Sequence, residues 1–301
     1  MRNTINLHRR TFLFQGTLFI TGAASLAECV FSQSVDKPVL RIALLTDVHY
    51  ADKVPQGTRY YRESLEKLAA ATVELAKTPI DFAVELGDFI DSAGDVENEK
   101  KALRTVDAAF SKIHKHRHYV LGNHCVETLT KKEFLGEVGQ EKSYYSFDSN
   151  GWHFVVLDAC FRQDEVPYGR KNADWTDTYL PKEELEWLRG DLAATSQPSI
   201  LFLHQRLDIE NQHAYSVKNA DQVRAVLEKS GKVRLVLQGH DHKGDYKELG
   251  GIPYCTLSAV IEETGRTNNA FSLLEITKNA DIRLHGFFRQ KNQTFLKTKV
   301  S

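Results

Sequence analysis

The stretch Leu40-Arg41-Ile42-Ala43-Leu44-Leu45-Thr46-Asp47-Val48-His49 decides how the rest of the chain is read. An apolar run long enough for a strand, 40–45, is followed at once by a carboxylate and an imidazole two residues apart. The pattern returns four times: 82–86 before Gly87-Asp88, 118–121 before Gly122-Asn123-His124, 200–203 before His204, and 233–237 before Gly239-His240-Asp241-His242. Reactive side chains just past the carboxyl ends of strands mark the binding crevice of an α/β fold. The spacing therefore predicts all of them at one edge of one sheet. Glycine ahead of Asn123 and His240 allows the tight turn that aims the next side chains back over the strand end.

Taken in order, Asp47, His49, Asp88, Asn123, His204, His240 and His242 make a mixed oxygen and nitrogen donor set. Such a set suits two divalent first-row metals, whereas a structural zinc knot would use cysteines. Two ions about 3.5–4 Å apart share a nucleophilic oxygen and clamp a phosphoryl group during in-line displacement. Either Asp-x-His or Gly-Asp alone is an ordinary turn; the conjunction in fixed order carries the reading. The run Lys112-Ile-His-Lys-His-Arg-His118 reads instead as the solvated end of a helix, where cations are favoured, and is assigned no chemistry.

This order of motifs resembles the calcineurin-like metallophosphoesterases over nearly all of residues 39–288. The resemblance implies a four-layer α/β/β/α sandwich of two mixed β-sheets, the metallo-dependent phosphatase fold. It also implies two divalent ions, manganese or iron, with zinc as the alternative. Asp47, His49, Asp88 and His242 would hold the first ion, and Asp88 would bridge to a second completed by Asn123, His204 and His240. His124 would be the catalytic residue outside the ligand set, stabilising or protonating the leaving oxygen. Cys125 departs from the pattern, which usually continues with an acid; the change bears on the orientation of His124 and removes no ligand.

Three further stretches are similar to the manganese-dependent ADP-ribose/CDP-alcohol diphosphatases: Asp47-Val-His-Tyr-Ala-Asp52 with Gln56-Gly-Thr-Arg-Tyr-Tyr-Arg-Glu-Ser-Leu65, then 239–246 and 256–262. His49 departs from that group, whose members often carry glutamine there. The resemblance implies hydrolysis of a phosphodiester or phosphoanhydride in a small nucleotide-like substrate through a metal-bridging hydroxide. The alternatives are a broad phosphomonoesterase that scavenges phosphate and a non-catalytic scaffold, although scaffolds typically lose ligands and every ligand position here is filled.

The remaining pattern fills in an α/β chain. Helical periods run over 60–77, ended before Pro79, over 97–114, after Pro181, and over 222–229; a hairpin is expected around Ser149-Asn150-Gly151, and strands at 253–258, 270–276 and 281–288. Two long irregular stretches, 160–180 and 205–219, follow strands that serve the metal edge, where loops build substrate pockets. Tyr168 and Trp175 in the first are candidate substrate residues for a base or sugar. Arg59 and Arg62 are candidates for a second phosphate, since a guanidinium fork grips phosphate bidentately; the structural alternative is an ion pair with Glu63 or Glu66.

His8-Arg9-Arg10-Thr11-Phe12-Leu13-Phe14, with no acid before Glu28, resembles a twin-arginine export signal. Residues 1–27 are accordingly expected to be a signal peptide, 28–38 a mature N-terminal segment and 39–301 the metallophosphoesterase domain, with the twin-arginine machinery as partner and the periplasm as destination. The apolar stretch 12–27 is short of the roughly 20 residues a membrane span needs. Loss of Arg2, Arg9 and Arg10 would leave 36 basic against 40 acidic side chains, about −4, which excludes a nucleic-acid-binding surface. The domain carries Cys125, Cys160 and Cys255; an odd number argues against a disulfide framework, with a single Cys160–Cys255 bridge left open. At 42% hydrophobic and 26% charged residues, the chain has the means for a sizeable core.

Overall fold

The computed structural model describes residues 37–295. The expected export signal at 1–27, and all but the last two residues of the segment 28–38, lie outside the described residues. In chain order the elements are β1 (Pro38–Leu45), α1 (Ser64–Leu75), β2 (Phe82–Glu85), α2 (Val96–Phe110), β3 (Arg117–Tyr119), α3 (Lys131–Val138), β4 (Tyr145–Ser149), β5 (Trp152–Val156), α4 (Lys182–Ala194), β6 (Ser199–Phe202), α5 (Ala220–Ser230), β7 (Val233–Gln238), β8 (Lys243–Leu249), β9 (Ile252–Ser258), β10 (Ala270–Thr277), β11 (Ile282–Phe288) and β12 (Gln293–Phe295).

The strands form two six-stranded sheets, ordered β12-β11-β10-β1-β2-β3 and β4-β5-β6-β7-β9-β8. Both are mixed: β1 pairs in parallel with β2 and antiparallel with β10, and β5, β6, β7 and β9 run parallel beside antiparallel β4 and β8. The metal-edge motifs therefore come from two sheets, three from the first and two from the second, which corrects the expectation of a single sheet. Periodicity identifies the five strands that precede these motifs but contains no term for which strand lies beside which.

Strand alternation explains the layers. Leu40, Ile42 and Leu44 of β1 face an inter-sheet core with Phe154, Val156, Phe202, Leu235 and Leu237 of the second sheet. Ala43 and Leu45 point the other way, onto Leu68 and Ala71 of α1 and Leu103, Val106 and Phe110 of α2. On the far side, Val155, Leu201 and Val236 meet Leu188 and Leu192 of α4 and Val223 and Leu227 of α5. Helix, sheet, sheet and helix thus stack as the expected four-layer sandwich. Among the described residues no helix is long and apolar enough to cross a membrane.

One further expectation is corrected, and one alternative left open by the sequence is closed. Helix α2 stops at Phe110, and His118 lies in β3, part-buried, its ring stacked on Phe147 at 4.0 Å with Nδ1 2.8 Å from the Tyr145 hydroxyl. Burial pushes its pKa down to about 4, so it is a packing residue and not part of a solvated helix end. Cys125, Cys160 and Cys255 are all buried free thiols, so no Cys160–Cys255 bridge forms.

Candidate metal centre

The turns that follow β1 and β2 are laddered together beyond the strands. Asp47 N donates to Gly87 O (2.9 Å) and His49 N to Asp88 O (2.8 Å). The turns from the second sheet are tied likewise, Gly239 N to His204 O at 3.0 Å. Two bonds then cross between the sheets: His240 N donates to Asp47 Oδ2 (3.0 Å) and His204 Nδ1 to Leu86 O (2.8 Å). This packing leaves no room for a Cβ at Gly122, where it would lie 2.2 Å from Asp88 Oδ1, or at Gly239, where it would lie 2.1 Å from Thr46 Oγ1. Neither glycine has a positive φ, so close approach and not turn conformation is what requires them. The strain falls on candidate donors: Asp47, His49, Asp88 and His240 all adopt left-handed backbone, at φ 51°, 45°, 56° and 71°. Non-glycine residues pay of order 1–3 kcal/mol each for sparsely populated conformations, and such positions cluster at functional sites.

Six of the seven residues of the donor set converge in two groups of three, and the seventh, Asn123, lines the same cavity as Asp88, His240 and His242. Asp47, His49 and His242 form one group, with His49 Nε2 and His242 Nε2 3.2 Å apart and 3.6 and 3.4 Å from Asp47 Oδ1. Asp88, His204 and His240 form the other, with His204 Nε2 3.1 Å from Asp88 Oδ2. The same Asp88 oxygen is 3.5 Å from His49 Nε2, so it lies between the groups. Asn123 follows β3 at the same edge.

The donor atoms fit divalent ions. Asp47 Oδ1, Asn123 Oδ1, His204 Nε2 and His240 Nε2 are buried without a hydrogen-bond partner, although orphaned buried polar atoms are rare. The other oxygen of Asp47 is already used, accepting from Thr46 Oγ1 (2.7 Å) and His240 N. The second oxygen of Asp88 is used too, accepting from His124 N at 2.8 Å. His49 Nδ1 meets Asp91 Oδ2 at 2.9 Å and His242 Nδ1 meets Glu262 Oε1 at 2.5 Å. Donating from Nδ1 turns both Nε2 lone pairs toward each other, an arrangement that wants a cation between them. With protein charges alone a proton fills that role: burial pushes His242 down, but Asp47 and Glu262 overcome it and hold it up at about 9. Burial likewise opposes the charge on Asp88, yet His204, His124 and His49 keep its carboxyl far below the usual range. A divalent ion would displace the His242 proton on binding.

His124 stands beside this set. Its Nδ1 is buried, 3.5 Å from Glu127 Oε2 and 3.7 Å from Asp91 Oδ2. The carboxylate absent at Cys125 is thus supplied two residues later, from the next position on the same short turn. Burial works against the imidazolium, but Asp88, Glu127 and Asp91 together raise it to about 9. A third group, His49, Asp91 and His124, also converges, but Lys53 Nζ (2.5 Å) and Arg59 Nη1 (3.5 Å) already neutralise Asp91, so it is not read as an ion site.

A cavity of about 530 Å³ opens over the edge, lined by Arg59, Asp88, Asn123, His124, Trp175, Tyr215 and His240 among others. Arg59 and Trp175 are therefore brought to the site. Tyr168 lines a neighbouring cavity of about 350 Å³ that shares His124 and Trp175, and its hydroxyl reaches the Asp174 and Asp177 carbonyls at 3.1 and 2.8 Å. Arg62 points away, pairing with exposed Asp52 at 2.6 Å rather than with Glu63 or Glu66, and lines neither cavity. Asp91 and Glu262 went unassigned in the sequence; Asp91 lies only three residues past Asp88, and Glu262 ends the stretch 256–262. Arg206 also proves structural: buried, it grips Asp208 with two nitrogens (3.0 and 2.6 Å), Asp241 (2.8 Å) and Asp245 (2.6 Å), holding the 239–242 turn.

Residues 40–244 match the family model described as calcineurin-like phosphoesterase, and the chain belongs to that family of hydrolases. Among its relatives is the manganese-dependent ADP-ribose/CDP-alcohol diphosphatase of Oryza sativa subsp. japonica, 27% identical, covering 82% of this chain and 91% of the relative. A 3',5'-cyclic-nucleotide phosphodiesterase of Nostoc is 24% identical, covering 73% and 77%. In fold, the chain is similar to a dimetal phosphatase from Danio rerio, with TM-score 0.73 at 22% identity over 86% of this chain and 99% of that one.

Proposed function

We propose that this chain is a dinuclear phosphoesterase that hydrolyses a phosphodiester or phosphoanhydride bond in a small nucleotide-like substrate. The observation that carries the reading is the placement of Asp88 Oδ2 between two donor groups, 3.1 Å from His204 Nε2 and 3.5 Å from His49 Nε2, where one carboxylate oxygen can serve both ions. Asp47, His49 and His242 would hold one ion; His204, His240 and Asn123 would hold the other. Two divalent ions there supply Lewis acidity and a nucleophilic oxygen at neutral pH. Manganese is favoured by the names of the diphosphatase relatives, and histidine with carboxylate donors also accommodates iron or zinc.

The chain's own residues supply the rest. Arg59, held by reciprocal backbone bonds with Gln56 (3.0 and 3.1 Å), presents its guanidinium to the cavity and would grip a second phosphate. Trp175 and Tyr215 form an aromatic wall suited to a base. His124, outside both donor groups, would hold a proton for the leaving oxygen, its ring steered by Glu127 and Asp91. The test is a panel of ADP-ribose, CDP-choline, cyclic nucleotides, glycerophosphodiesters and monoesters with manganese, beside metal analysis. Two ions per chain are expected, and faster turnover of bis(p-nitrophenyl) phosphate than of p-nitrophenyl phosphate. A reversed ratio assigns the site to monoesters, and no turnover of either assigns a binding scaffold.

We also propose export by the twin-arginine route, supported by the Arg9-Arg10 pair and the apolar stretch behind it. Replacing both arginines by lysine should keep the precursor in the cytoplasm; normal export of that variant would exclude the route.

A further inference from the structure

We infer that Trp175 and Tyr215 are positioning residues for His240, doing by ring packing what hydrogen bonds do for the other three candidate histidine donors. The inference rests on His240 being a metal donor, as proposed above. His49 Nδ1 has Asp91 at 2.9 Å, His242 Nδ1 has Glu262 at 2.5 Å, and His204 Nδ1 has Leu86 O at 2.8 Å. Each bond fixes the tautomer and ring plane and leaves Nε2 for the ion. His240 is different: among the described residues neither ring nitrogen has a hydrogen-bond partner.

Its ring is caged instead. Tyr215 stands edge-on to it at 5.2 Å and 85°, Trp175 at 5.5 Å and 68°, and His204 at 4.9 Å and 61°. Trp175 and Tyr215 also touch each other, at 5.5 Å, so the cage closes. Edge-to-face pairs at this range are attractive beyond simple burial.

Both loops are built to deliver these rings. Tyr168 pins the first loop through the Asp174 carbonyl, next to Trp175. Arg206 ties the second loop to the ligand turn: its backbone N donates to Tyr215 O at 3.0 Å while its Nη1 holds Asp241, next to His240, at 2.8 Å. Trp175 is 43% exposed and belongs to none of the hydrophobic clusters; its ring contacts are with Tyr215 and His240.

The test is calorimetric titration of the metal-stripped full chain with Mn²⁺, comparing wild type, Trp175→Ala, the Trp175→Ala/Tyr215→Ala pair, Trp175→Phe and His240→Ala. The pair should weaken one of two ions by about 10–100-fold, the range for loss of partners that orient a ligand, and leave the other unchanged. Trp175→Phe should bind both ions as wild type does. Added to His240→Ala, the pair should cost nothing more, because the ring it positions is gone. Equal binding by wild type and the pair overturns the inference alone, as does equal weakening of both ions or a further loss in the His240→Ala background. Fewer than two ions on wild type overturns the proposed function and this inference with it. The single variant and an unchanged melting temperature of the stripped protein separate misfolding from a specific loss.

Discussion

His124 is the residue at which metal binding and proton transfer can be told apart. It follows a candidate ligand, Asn123, and donates its backbone N–H to Asp88 Oδ1 at 2.8 Å, yet its ring lies outside both donor groups and faces Glu127 and Asp91. His124→Ala should therefore keep both ions, measured by metal analysis, and lower turnover by roughly 10²–10⁴, the usual worth of general acid catalysis. The loss should be larger for an alkoxide leaving group than for p-nitrophenolate, which departs without a proton. Equal losses would make His124 a positioning residue, and loss of an ion would move it into the ligand set. Glu127→Gln tests the steering separately. It keeps the size of the side chain but removes one of the three carboxylates that hold the His124 proton, so a smaller loss of the same leaving-group dependence is expected.

At the level of elements, the strands ending in Asp47, Asp88, Asn123, His204 and His240 were legible because apolar runs and the polar residues closing them are local facts. What was not legible is pairing. The distribution of these strands over two sheets depends on contacts between residues far apart in sequence, such as His240 N to Asp47 Oδ2. Edge strand β8 was missed because Lys-Gly-Asp-Tyr-Lys-Glu-Leu buries little, with no fully buried position. Helix α3 could have been found: Thr130 and Glu133 form a reciprocal capping box and Gly139 closes it in left-handed conformation. The helix-end reading of His118 failed since a charged-looking sequence says nothing of the Phe147 ring it stacks on. That burial yields an element-scale prediction. A histidine held down at about 4 when folded, against about 6.5 when unfolded, takes its proton first in the unfolded chain. Its contribution is full above pH 6.5 and is lost as pH falls from 6.5 to 4, by on the order of 3 kcal/mol. Urea midpoints at pH 7 and pH 4.5 should thus differ less for His118→Phe than for wild type; an identical pH dependence would show that β3 does not hold His118 neutral.

Across the whole molecule, the two sheets are joined by the inter-sheet core and, at one end, by a polar edge that concentrates buried charge. Asp47 and Asp88 are buried carboxylates, and the histidines opposing them come from both sheets, His49 from the turn after β1 and His204, His240 and His242 from those after β6 and β7. Buried, imperfectly paired polar atoms and four left-handed residues make this edge costly for the protein alone. Ions that bind the folded chain and not the unfolded one offset that cost by mass action, about 2.7 kcal/mol per ion at a free concentration 100 times its dissociation constant. For a domain of this size each kcal/mol moves the melting temperature by roughly 2–4 °C, so saturating Mn²⁺ should raise it by about 5–10 °C per ion over a chelated sample. The rise should grow with pH toward 9, because the His242 proton must leave before its nitrogen can bind an ion and that proton is held up to about pH 9. Asp88→Asn removes the shared carboxylate charge; it should lose most of the rise together with activity by orders of magnitude. A wild-type melting temperature indifferent to both Mn²⁺ and chelator would mean that no ion completes the edge, and a fully active Asp88→Asn chain would mean that this carboxylate does not join two of them.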